Sequence, residues 1–149
     1  QRQEIEKRIF DEAIEQIESN NSSEDVIVLG KDNWHHGVIG IVASKITELY
    51  FKPSILICFE EEMGKGSGRS VPGFDLYEAL NKCNEHISRF GGHSMAGGVS
   101  LKKENFEKFK RENRCIFWRK IAILFFERRW SLWKKQRKES NTNKKIKTS

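Results

Sequence analysis

Proline, aspartate and cysteine are all scarce in this chain, and each scarcity narrows what it can be. Only 2 of the 149 residues are proline, so helices and strands run on except where Pro53 and Pro72 stop them. The aspartates are Asp11, Asp25, Asp32 and Asp75 alone. None stands with the histidines at a metal-binding spacing. That speaks against a two-metal hydrolytic centre, which needs several carboxylates and imidazoles to hold two cations close together. No Ser-His-Asp arrangement and no paired general acid and base is evident either. The 3 cysteines, Cys58, Cys83 and Cys115, are odd in number and lack Cys-x-x-Cys spacing. Reduced thiols in a cytoplasmic protein are expected, not a disulfide framework or a metal site. No run of about 18 apolar residues exists, so no membrane span is expected. The charged N-terminus lacks the apolar centre of a signal peptide.

Charge is plentiful but unevenly placed. The formal net charge is +6, yet residues 114–149 hold 12 of the 27 Lys and Arg and only 2 of the 21 Asp and Glu. The basic surplus, which would ordinarily point to nucleic acid, lies entirely in that tail. Residues 1–113 are slightly acidic.

Hydrophobic periodicity divides the rest. Ile5, Ile9, Ala13 and Ile17 fall on one face of a helix over residues 1–19. Asn20 to Ser23 form a polar link. Val26 to Leu29 is a continuous apolar run suited to a strand buried on both faces. A helix is predicted over 37–51, ended by Pro53, then a second buried strand over 54–59 and a turn over 60–63. Gly64 to Ser70 reads as a glycine-rich strand or loop. Asp75 caps a helix over 76–87, a glycine-rich turn follows, and 96–101 is a strand. Another helix begins near Glu104, with Phe106 and Phe109 inward. Beyond Arg114 the character changes: no Gly, no Pro, and three of the 4 tryptophans. Phe117, Ile121, Leu124 and Phe125 fit a helix face, and the polar stretch from Glu139 is expected to be disordered.

Three clusters carry candidate chemistry. Trp34-His35-His36-Gly37 to Gly40 opens a helix, whose N-terminus attracts anions; Trp34 could stack on a base and His35 could donate to a phosphate, the alternative being Trp34 as a core anchor with both histidines solvated loop residues. Gly64-Lys65-Gly66-Ser67-Gly68-Arg69-Ser70 fits no Walker register. Its alternating glycines could expose N–H groups in an anion-binding concavity, with Arg69 forking two hydrogen bonds to a phosphate; the alternative is a flexible hairpin. Phe90-Gly91-Gly92-His93 through Gly98 reads as a ligand-facing turn, with His93 available for phosphate contact or proton transfer. Together they suggest one nucleotide or nucleic-acid site.

These residues carry a resemblance. Trp34-His35-x-Gly37-Val38-Ile39-Gly40, Ser67-Gly68-Arg69-Ser70, Asp75-Leu76 with Ala79-Leu80, and Phe90-Gly91-Gly92-His93-x-x-Ala96-Gly97-Gly98 are similar to the DHHA1 domain of RecJ-type exonucleases, within the DHH phosphoesterase superfamily. Arg2-Gln3 and the helix after them resemble the long helix that joins that family's two domains. The resemblance covers residues 1–111. It implies an α/β fold, a small mixed β-sheet flanked by helices and preceded by an amphipathic linker helix, with residues 1–23 as linker, 24–112 as the DHHA1-like domain and 113–149 as a basic aromatic tail.

The resemblance also implies a function: the substrate-binding portion of a 5′→3′ exonuclease that hydrolyses phosphodiesters in single-stranded DNA. The partner would be a DHH catalytic domain holding Mn2+ or Mg2+, expected to be absent from this chain, which alone would be inactive. Ser67 and Arg69, with Arg2, would hold the DNA 5′-phosphate. Gly68 and Ser70 share that run; Gly91, Gly92 and His93 would face the scissile region, and Trp34 and His35 would line the same cleft. An oligoribonuclease or cyclic-dinucleotide phosphodiesterase is an alternative, as is a non-catalytic remnant whose tail binds nucleic acid or an anionic membrane. Gly97 stands where the family usually has alanine, and His36 where it varies. Asn113 stands where the last helix calls for an apolar residue, so the tail is expected to be an out-of-frame extension.

Overall fold

The computed structural model describes residues 1–19, 25–113 and 135. The polar link at 20–23, the helix face of Phe117 to Phe125, the polar end from 139 and Cys115 fall outside them. Residues 1–19 and 25–113 belong to one compact unit.

Five strands form one mixed sheet in the order β1-β2-β3-β5-β4. The strands are β1 (Ile27–Asp32), β2 (Ser54–Glu60), β3 (Met63–Arg69), β4 (Arg89–Gly92) and β5 (Ala96–Lys102). The first two are parallel and all other pairs antiparallel. A parallel pair needs a crossover, and α2 (His36–Tyr50) supplies it. It ends at Phe51, in the left-handed conformation, two residues before Pro53. The other helices are α1 (Arg2–Ser19) and α3 (Leu76–Lys82), with a further helical segment over 106–113.

The helices lie on both faces of the sheet. Ile27 and Leu29 of β1 and Leu56 and Cys58 of β2 point to one side, where Val38, Val42 and Ile46 of α2 meet Ile9 and Ala13 of α1 in a single cluster. The expected linker helix is thus packed into the core, and Glu6 pairs with Lys45 of α2. On the other side Leu76 of α3 lies under Gly68, and Phe59 and Phe106, stacked edge to face at 5.1 Å, lie under Gly30. Val28 faces this second layer, so β1 is covered on both sides although it is an edge strand.

Of the two readings for residues 64–70 the strand holds, through Arg69: β3 is the central strand, hydrogen-bonded to β2 and β5. Two local expectations change. The helix after Asp75 ends at Lys82, followed by a 3-10 turn over Asn84–His86. The glycine-rich turn is shorter than expected, because Arg89 to Gly92 already form β4 and only 93–95 reverse the chain. Among the described residues no helix is long and apolar enough to cross a membrane.

Candidate nucleic-acid interface

Side chains alternate across a strand, so register decides what meets on each face of β3. Gly64, Gly66 and Gly68 all point to the α3 side. A Cβ on Gly66 would stand 2.7 Å from Ile57 Cγ1 and 2.9 Å from Val99 Cγ1; on Gly68 it would stand 3.0 Å from Leu76. These glycines are therefore demanded by packing, and the β3 main chain is engaged in ladders on both sides. The anion-binding concavity expected from free N–H groups at Gly68 and its neighbours does not form.

The side chains between the glycines, Lys65, Ser67 and Arg69, point the other way. There α2 lies over β2 and the near side of β3, and among the described residues β5 and β4 are left open. Lys65 pairs with Ser100, and Ser100 with Arg89; Ser67 pairs with Gly98, and Gly98 with Gly91; Arg69 pairs with Ala96. The result is an open trough of about 670 Å³ with β5 as its floor and β3 and β4 as its walls. Gly91 and Gly98 line that trough without being required by the fold. A Cβ on Gly91 would meet nothing within 4 Å, and one on Gly98 only the Gly66 carbonyl at 3.7 Å.

Arg69 and Ser67 sit at the seam with α2. The Arg69 Nη1 donates to the Gly68 carbonyl at 2.7 Å. A Cβ on Gly40 would stand 3.0 Å from Arg69 Nη2 and 3.6 Å from Ser67 Oγ. Gly40 thus makes room in α2 for the guanidinium, a role different from the ligand approach its sequence context suggested. Among the described residues no carboxylate pairs with Lys65, Arg69 or Arg89.

Both site histidines are oriented by their own backbone. His35 caps α2, its Nδ1 accepting from the Gly37 N–H at 3.1 Å. His93 sits in the β4–β5 turn, its Nδ1 accepting from the Met95 N–H at 3.2 Å while its own N–H donates to the Ala96 carbonyl. An imidazole that accepts at Nδ1 carries its proton on Nε2 when neutral, so each presents an outward N–H donor. Because Ala96 pairs with Arg69, His93 lies at the Arg69 end of the trough. The N-terminus of α2 is a poorer anion seat than expected, since the N–H groups of Val38 and Ile39 already reach the His35 carbonyl.

Three expected ligand contacts are not in place. Trp34 is 6% exposed and packs in the core between α1 and α2. Its indole Nε1 donates to Glu12 Oε2 at 2.8 Å, so it has no face left for a base. Ser70 is buried, and its hydroxyl donates to the Phe74 carbonyl at 2.7 Å, shaping the loop before α3. Arg2 is exposed at the start of α1 and does not line the trough. Conversely, His36 and Arg89 line the trough. Sequence reasoning passed over both, because only cross-strand register brings Arg89 opposite Lys65.

Cys83, Cys58 and Glu12 titrate away from their usual ranges, and none of them lines the trough. Burial pushes the Cys83 thiol up to about 12, helped by the Glu112 charge. Burial likewise raises Cys58, so both stay protonated and unreactive. Burial also works to raise Glu12, but hydrogen bonds from Trp34 and Lys31 and the charges of Lys31 and Arg8 outweigh it and lower its pKa. Among the described residues no three His, Cys, Asp or Glu side chains converge on a metal position.

The DHHA1 domain model matches residues 23–116. The chain belongs to the DHHA1 family. Relatives of this DHHA1 chain include the single-stranded-DNA-specific exonuclease RecJ of Bacillus subtilis, 43% identical over 107 residues, and that of Dickeya dadantii, 38% identical over 119. The matches cover 70% and 74% of this chain but only 14% and 21% of those proteins. Among solved structures, RecJ from Thermus thermophilus in complex with Mn2+ superposes with a TM-score of 0.71 and 30% identity, over 79% of this chain and 17% of that one. The mixed five-stranded α/β architecture is that of the RecJ DHHA1 region.

Proposed function

We propose that this DHHA1 domain grips the 5′ end of single-stranded DNA for an exonuclease whose metal-bearing DHH domain cuts it. Ser67 and Arg69 take the terminal phosphate: the guanidinium offers two parallel donors to two phosphate oxygens, and the hydroxyl adds a third. His93, with its outward Nε2–H, lies at the same end and faces the phosphodiester to be cut. Gly91 and Gly98 let the sugar–phosphate backbone lie against the sheet. The chain alone binds and does not turn over. The observation that supports this reading is that Ser67 and Arg69 stand together where α2 meets β3, with Ser67 at the edge of a trough floored by Gly91 and Gly98.

Titration of the chain with fluorescent single strands, bearing either a 5′-phosphate or a 5′-hydroxyl, tests it. The phosphorylated strand should bind about tenfold or more tightly, as expected for a charged hydrogen-bonded pair. Arg69→Gln should remove that preference. Equal affinity for the two strands would refute it.

A further inference from the structure

Beyond Ser67 the trough continues to a row that the terminal phosphate does not reach. Lys65 on β3, Ser100 on β5 and Arg89 on β4 are consecutive cross-strand partners, and all three line the trough. Neighbouring strands are about 4.8 Å apart, so Lys65 and Arg89 rise as two walls about 10 Å apart with Ser100 between them. Lys65 and Arg69 are four residues apart on one strand, about 13 Å. Rising side by side from the strand, these two cations stand farther apart than Lys65 and Arg89 do across the trough.

We infer that Lys65 and Arg89 form a second anion-gripping row, which takes an internal phosphate of the strand whose end Arg69 holds. This rests on the reading of Ser67 and Arg69 given above, and it adds the ligand's length and direction. The strand runs along β5 from the Ala96 end toward Ser100, and a single nucleotide cannot span both rows. Three observations meet here. Lys65 and Arg89 are exposed, and among the described residues neither has a carboxylate partner. The two cations therefore stand unneutralised across one channel in a segment, 1–113, that is acidic overall. Between the rows the floor is bare at Gly98 and Gly91, where neither packing nor a positive φ forbids a side chain. A polyanion lying on that floor would meet cations at both ends of the span and nothing bulky between.

The test compares the full chain with the Lys65→Gln/Arg89→Gln double variant, using 5′-phosphorylated oligothymidylates of increasing length at several salt concentrations. The unaltered chain should bind more tightly as length grows past the first nucleotide. The double variant should lose about tenfold on the longer strands, and its salt slope should fall by about 0.7, the value of one single-strand phosphate contact. Its preference for a 5′-phosphate over a 5′-hydroxyl should be unchanged. An unchanged salt slope and length dependence would overturn the second row. If Arg69→Gln keeps the 5′-phosphate preference while the double variant flattens the slope, the terminal-phosphate reading fails and the second row stands. No binding by the unaltered chain at low salt would overturn both. Both side chains are exposed, so circular dichroism should show the variant folded like the unaltered chain.

Discussion

The two halves of one sheet face use similar residues to opposite ends. Where α1 and α2 close over the sheet, several polar side chains are committed inward: Trp34 donates to Glu12, and Ser54 donates to the Ala43 carbonyl and bonds Thr47. Over β5 and β4 no helix among the described residues lies on that face, and Lys65, Ser67 and Arg89 line a trough there. The same contrast divides the glycines. Gly66 is glycine because Ile57 and Val99 fill the space below it, whereas Gly98 has room for a side chain and does not carry one. A polar or glycine-rich motif therefore signals a ligand only where the fold itself makes no use of it.

Substitutions can break this comparison. The largest effect is expected at Trp34. Removing a buried tryptophan as Trp34→Ala should cost about 3–5 kcal/mol, read by urea unfolding, while Trp34→Phe keeps the fold and should leave strand affinity within about twofold. A large affinity loss in Trp34→Phe at intact stability would return Trp34 to the binding surface. Next is the glycine pair. Gly66→Ala should lower stability by about 1–3 kcal/mol through overpacking, and Gly98→Ala should change it by under about 0.5 kcal/mol yet weaken strand binding. Equal destabilisation by the two would show that the floor, too, is structural.

A smaller effect is expected at the far side of the core. Asn113 is fully buried, its Nδ2 bonded to the Phe109 carbonyl at 3.0 Å and its Oδ1 without a partner among the described residues. An orphaned buried carbonyl is costly, so Asn113→Leu should raise the unfolding midpoint by an amount worth about 1 kcal/mol; a fall would mean the amide is used. The smallest concerns acid. Glu12 has a lowered folded pKa, so its contribution is present above the unfolded value and is lost as pH falls through the folded one. Trp34→Phe removes one lowering hydrogen bond, and the stability lost between neutral pH and about pH 3 should shrink. An unchanged acid limb would exclude the indole as the cause.

Much of the fold was legible from local pattern. The apolar runs at 26–29 and 54–59, the helical stripe of residues 5–17 and the break at Pro53 all act through local periodicity and sterics, and each element appears near its expected place. The glycine run of β3 was not decisive, because alternating glycines carry weak strand propensity and say nothing about what lies beneath them. The start of β4 at Arg89 was displaced for the same reason, since glycine-rich sequence marks a change of direction without saying which residues still pair; the end of α3 at Lys82 carries no glycine or proline to mark it. For the site, the sequence placed Ser67, Arg69 and His93 in one set through motif resemblance. It could not show that Trp34 and Ser70 were already spoken for, since a hydrogen-bond partner at Glu12 or Phe74 is invisible to spacing.

By itself the order of residues determined which segments are helix and which are strand, and which positions carry cation, hydroxyl or imidazole, because periodicity, capping and chemical type are local properties. Only the tertiary structure decided which of those groups remain for a ligand. Register across β3, β5 and β4 sets Lys65 against Arg89, and α2, seated on β2 and β3, closes one part of a face and leaves β5 and β4 open among the described residues. Both follow from contacts between residues distant in sequence, where local preference has no say.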